Sequence, residues 1–127
     1  MNLPNSQPEQ RHRVLSLGND ASLLRSRQYV LEGAGFEVLV NIDVEQTVPD
    51  FDYNLNACVL CHSISLKQRL RLAASIPERI PQAGVVFIYY GNEMFDAHNV
   101  DALLRTPVQP DDLVTAVRRA IKKAEAR

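Results

Sequence analysis

Short apolar runs alternate with helix-period patterns from His12 onward, a rhythm that predicts a parallel sheet covered by helices on both faces. Arg13-Val-Leu-Ser-Leu17 reads as a first strand that stops at Gly18-Asn19-Asp20. Behind it, Leu23, Leu24, Arg27, Val30, Leu31 and Ala34 recur at helical spacing, with Asp20 or Ser22 as the N-cap and Gly35 where a left-handed C-terminal cap belongs. Phe36 to Val40 predicts the second strand. Asn41 to Asn54 predicts a connection with at most a short helix around Val44 to Val48, because Pro49 and the acidic Asp50 and Asp52 oppose a longer one. Leu55 to Leu60 is the third strand.

Leu66, Leu70 and Ala73 mark a second helix whose wet side carries Lys67, Arg69 and Arg71. It is expected to end near Ser75, since Pro77 disfavours helical geometry in Ile76. Val85-Val-Phe-Ile-Tyr-Tyr90 is unbroken in apolar and aromatic character, as a central parallel strand buried on both faces requires. Ala102-Leu-Leu104 is the fifth strand. The last helix opens on Pro110, with Asp111 and Asp112 at its positive end, Lys122, Lys123 and Arg127 towards its negative end, and a buried stripe of Leu113, Val117, Ala120, Ile121 and Ala124. Residues 1–11 are polar, contain Pro4 and Pro8, and read as a mobile lead-in to one domain over 12–127.

Five strands joined by right-handed crossovers give an α/β, doubly wound parallel sheet of order 2-1-3-4-5. Ligands of such sheets sit at the carboxyl ends of strands one and three, where the order reverses. Gly18-Asn19-Asp20 and Cys61-His62-Ser63 therefore face the place where chemistry would occur.

Charge narrows the partners. Fourteen basic residues against fifteen acidic ones leave a formal charge of −1, with no overall field to draw nucleic acid or anionic lipid. No apolar run reaches the roughly 18 to 20 residues of a membrane span, and the start lacks the marks of an export signal, so the expected location is the cytoplasm. Cys58-Val-Leu-Cys61-His62 matches the spacing of haem attachment and of thiol redox pairs. Strand alternation sends the two sulfurs to opposite faces, which favours Cys58 as a small core residue and leaves Cys61 at the pocket mouth. His12 and His98 lack neighbours at ligand spacing, so no metal is expected, and the absence of glycine-rich phosphate loops removes the usual nucleotide cofactors.

Two segments then carry a resemblance. Val14-Leu-Ser-Leu-Gly-Asn-Asp-Ala-Ser-Leu23, leading to Leu31-Glu-Gly-Ala-Gly-Phe-Glu-Val38, and Leu104-Arg-Thr-Pro-Val-Gln-Pro-Asp-Asp-Leu113 are similar to the receiver domain of two-component response regulators. The resemblance implies a CheY-like, flavodoxin-like fold and a phosphorylation pocket. In that family two acids after strand one hold Mg²⁺, an aspartate ends strand three, and a lysine precedes a proline, because phosphoryl transfer rests on charge stabilisation and positioning. Here the acid pair corresponds to Gly18 and Asn19, with Asp20 one step further on. The acceptor aspartate falls on Cys61 and the lysine on Thr106 before Pro107. The switch hydroxyl falls on Tyr90, or on Tyr89 if the register slips, and the aromatic switch position on Leu103.

The expectation is a degenerate, stand-alone receiver: a non-enzymatic module that acts by contact with another signalling protein and needs no cofactor. Asn92 to Asp101 is too short for the family's full fourth helix, which moves the expected contact surfaces, including those for a homodimer, to the first and last helices. Arg118, Arg119, Lys122 and Lys123 read chiefly as a face complementing the helix dipole. His62 is expected to be solvated, and Tyr89 and Tyr90 to supply one core ring and one ring over the cleft. The alternatives are an unconventional phosphoacceptor and a thiol sensor centred on Cys61.

Overall fold

A computed structural model describes residues 11–42 and 54–127. Within them the chain runs β1 (Arg13–Gly18), α1 (Ala21–Gly33), β2 (Glu37–Ile42), β3 (Ala57–Leu60), α2 (Leu66–Arg79), β4 (Gly84–Tyr89), β5 (Ala102–Arg105) and α3 (Pro110–Glu125). The strands form one parallel sheet of order β2-β1-β3-β4-β5, as the alternation predicts. Most of the expected lead-in and the short helix around Val44 to Val48 lie outside the described residues.

Side-chain alternation along the strands divides the core in two. Leu15, Leu17, Cys58, Leu60, Val85 and Phe87 meet Leu72, Ala73 and Ile76 of α2 on one face of the sheet. Val14, Val59, Val86 and Ile88 meet Leu31 of α1 and Leu113, Val117, Ala120 and Ile121 of α3 on the other. Burial of each Leu, Ile or Val side chain contributes about 1.5–3 kcal/mol, so the three large residues of the α3 stripe are enough to seat that helix. Asp20 caps α1 by accepting from the backbone N–H of Leu23, and Gly35 turns the chain out of the helix with φ of 101°.

Two expectations for α2 fail. The helix does not stop near Ser75 but continues through Pro77 to Arg79. A proline in the last turn removes only one intrahelical donor, and Ile76 and Ile80, both buried, clamp that turn on the core while Ile80 N–H closes on Ile76 C=O at 2.7 Å. Arg69 is not on the wet side: it is 1% exposed. Its position explains this, because 69, 72, 73 and 76 lie on one helix face and only the last three are apolar. Lys67 and Arg71 are exposed as expected.

Arg69 organises the segment between β4 and β5, where no helix forms. Its Nε donates to Ile64 C=O and its Nη1 to Ile88 C=O, both at 2.8 Å, and both terminal nitrogens engage the Glu93 carboxylate. The guanidinium also lies over the Phe87 ring, on which Phe95 stacks at 4.9 Å. This ion pair and the aromatic contact hold the connection against the end of the sheet.

Candidate functional site

β1 and β3 are hydrogen-bonded neighbours, but the chain leaves them in opposite directions, so their carboxyl ends open one cleft. Gly18, at the end of β1, packs against Cys61, and Asn19 and Asp20 lead from it into α1. Cys61, one residue past β3, forms the floor, its N–H donating to Leu17 C=O at 2.9 Å and its C=O accepting from Ile64 in a tight turn. Gly18, Asn19 and Cys61 are joined here directly or through Ser63, whereas Thr106 and Pro107 line the neighbouring groove with His62.

The Cys61 sulfur is not at the mouth, because the residue is completely buried. Three donors converge on it. Arg27 Nη1 lies 2.9 Å from Sγ, Ser63 Oγ 3.2 Å and the Ser63 backbone N–H 3.5 Å. Ser63 Oγ in turn accepts from the Asn19 N–H at 2.8 Å. The result is a chain of contacts from Asn19 through Ser63 and Cys61 to Arg27, which occupies the floor with the protein's own groups. The setting of this sulfur is not apolar, since a guanidinium touches it. Cys58 does sit in apolar surroundings, and burial pushes its thiol up to about 12. The two sulfurs serve opposite faces of the sheet, as alternation requires.

Gly18 is matched to this floor. A Cβ there would stand 2.9 Å from Cys61 Cβ and 3.1 Å from both Leu24 Cδ2 and Ser63 Oγ, so no side chain fits at this position while the floor keeps its shape. Asp20 is engaged as the α1 cap.

On the far side, His62 is half-buried, not simply solvated, and meets the exposed ring of Tyr90 edge-on with centroids 4.8 Å apart. Burial first, then the charge of Arg27 and that of Arg69, hold His62 below its usual imidazole range, with Glu93 and Asp20 opposing. Tyr89 packs on Phe95, which makes it the core ring and Tyr90 the ring over the cleft. The Thr106–Pro107 peptide is cis, and Thr106 N–H donates to Tyr89 C=O at 2.9 Å. The Arg105 guanidinium lies beside Gly91. Leu103 is half exposed on β5.

Arg27, Arg69 and Glu93 were not assigned to this site from sequence. The available signal was an arginine on the apolar stripe of a helix: Arg27 shares the α1 face with Leu24 and Leu31, and a charge held there must reach past the core to a partner. Glu93 has no comparable signal, because it sits in a segment without periodicity. Among the described residues no three His, Cys, Asp or Glu side chains gather as metal ligands do, and no helix is long and apolar enough to cross a membrane.

This architecture is the CheY-like, flavodoxin-like fold. Solved receiver domains share it: the response regulator receiver domain protein from Clostridium thermocellum matches with a TM-score of 0.71 at 16% identity over 91% of this chain and 98% of that one. The CheY-like receiver domain protein from Methanospirillum hungatei matches at 0.67 and 17% identity, over 92% and 98% of the two chains. The signal receiver domain of an HD domain-containing protein from Pseudomonas fluorescens matches at 0.72 and 12% identity, over 93% and 100%. No protein-family model matches the chain, and comparison with curated proteins gives no significant match.

Proposed function

We propose that this chain is a receiver-like signalling module that does not switch through an aspartyl phosphate and that acts, without enzymatic activity of its own, by binding another signalling protein. The observation that supports this most is the internal bonding of Cys61, whose sulfur, at the acceptor position, is held by Arg27 and Ser63. A hard cation such as Mg²⁺ wants carboxylate oxygens, and the residues at the acid-pair positions are Gly18 and Asn19. The acceptor position offers a thiol with the Arg27 guanidinium against it and no nucleophilic carboxylate for phosphate. Both cysteines are unpaired thiols, which suits the reducing cytoplasm.

Incubation with acetyl phosphate and Mg²⁺, followed by weighing the intact chain, tests the reading: no added phosphoryl group is expected, and a stoichiometric gain overturns it in favour of an unconventional phosphoacceptor. Self-association through α1 or α3 is the contact mode to examine first. Sedimentation over a wide concentration range that shows only monomer removes it.

A second reading is favoured by one contact. Arg27 Nη1 stands 2.9 Å from Cys61 Sγ whereas Cys58 sits in apolar surroundings, so of the two thiols Cys61 is the candidate oxidant sensor. It predicts faster native-state alkylation at Cys61 than at Cys58, and equal sluggishness at both dismisses it.

A further inference from the structure

The Arg27 guanidinium poses a problem that its own contacts leave open. The residue is only 7% exposed, yet no carboxylate among the described residues pairs with it, and its one hydrogen-bond acceptor there is the sulfur of Cys61. Sulfur is a weak acceptor. Buried charges are normally paired, and Arg69 in the same domain shows the ordinary solution, with two carbonyls and a carboxylate around its guanidinium. Arg27 has the burial without the counter-charge.

What Arg27 does have is a groove. A cavity of about 530 Å³ lies between α1 and the β5–α3 connection, within the size range of small-molecule sites. Arg27, His62 and Thr106 supply polar lining, and Leu23, Val30 and Leu113 apolar lining. Pro110, the first residue of α3, also borders it. The groove thus combines one buried, uncompensated cation with apolar lining.

We propose that this groove binds a small organic anion, with a carboxylate or phosphate-ester head against the Arg27 guanidinium and an apolar body along Leu23, Val30 and Leu113. The ligand supplies the missing counter-charge. It also bridges α1 to the β5–α3 connection, so occupancy stiffens the two helices named above as contact surfaces. The inference stands apart from the phosphate-blind reading, because a chain phosphorylated elsewhere could still hold the anion and a phosphate-blind chain could lack it.

The test uses the full ¹⁵N-labelled chain with benzoate and phenyl phosphate as probes, benzamide and benzyl alcohol as neutral counterparts, and inorganic phosphate as the head alone. Saturable shifts are expected at the Arg27 side-chain N–H and at the Thr106 and Leu113 amides, with an anionic probe binding about tenfold or more tightly than its neutral counterpart. Whichever of benzoate and phenyl phosphate binds better identifies the head. Arg27→Gln should abolish the preference for charge; if that variant fails to fold, the charged-against-neutral comparison on the unaltered chain decides alone. Equal affinity for charged and neutral probes, shifts confined to other surfaces, no shift at all, or inorganic phosphate binding as tightly as phenyl phosphate would each overturn the proposal.

Discussion

Replacing Glu93 by Gln leaves the shape of the β4–β5 connection nearly unchanged and removes its charge. Arg69 is 1% and Glu93 19% exposed at the side chain, so the pair is shielded from water far more than a surface ion pair. Breaking a buried pair from one side costs about 3–5 kcal/mol because a charge is stranded. Here Ile64 and Ile88 carbonyls continue to hold the guanidinium, and Glu93 retains some solvent, so the expected loss is about 2–3 kcal/mol. Against a total stability of about 5–15 kcal/mol this is large, and with a urea slope of about 1–3 kcal/mol/M the unfolding midpoint should fall by roughly 0.7–3 M near neutral pH.

Acid supplies an independent arm. The hydrogen bond from Arg69 is the main reason Glu93 titrates below its ordinary value of 4.5. A carboxyl whose folded pKa is depressed contributes stability that is present above the unfolded value and lost as pH falls through the folded one. The gap between wild type and Glu93→Gln should therefore hold at neutral pH and narrow once the pH drops below 4.5. In a double-mutant cycle, Arg69→Met should cost less on the Glu93→Gln background than on wild type. A loss under about 0.5 kcal/mol, or a gap that does not change in acid, would refute the view that this ion pair anchors the connection.

Three further outcomes follow from the same geometry. Gly18→Ala should cost about 1–3 kcal/mol in urea unfolding, because the new Cβ meets Cys61 Cβ at 2.9 Å; an unchanged midpoint would mean the floor yields freely. In a proton NMR titration His62 should titrate below 6.5; because the folded value is depressed, its contribution to stability is present above 6.5 and declines as the pH falls from there to the folded pKa. Asp101 accepts the buried Val85 N–H at 2.8 Å through one oxygen and pairs with Arg127 through the other, so Asp101→Ala should cost about 1–3 kcal/mol in thermal or urea unfolding, whereas Arg127→Ala, on the half-exposed partner, should cost under about 1 kcal/mol. Equal costs would assign the work to the ion pair instead of the backbone bond.

Local pattern determined the element order, the class of the sheet and its strand sequence. Period-two and period-3.6 alternation depend on which side chains are apolar, and Asp20, Gly35 and Pro110 mark helix ends through their own backbone and side-chain chemistry. The positions gathered at the carboxyl ends of β1 and β3 were legible for the same reason, since order and handedness bring them together whatever their identity. Residues whose behaviour depends on a distant partner were not legible. Arg69 reads as a wet-side residue by type, and only the carbonyls of Ile64 and Ile88 with the carboxylate of Glu93 make its burial tolerable. Pro77 reads as a helix stop, and only the packing of Ile76 and Ile80 carries the helix past it. Cys61 reads as an accessible thiol until Arg27, 34 positions earlier, and Ser63 close over it. Propensity and periodicity act over a few bonds and so survive in a one-dimensional string. The cost of burying a charge, a thiol or a broken helix turn is set by what lies against it in three dimensions, and for this protein that is where the fold was decided in detail and where the floor of the cleft acquired its contacts.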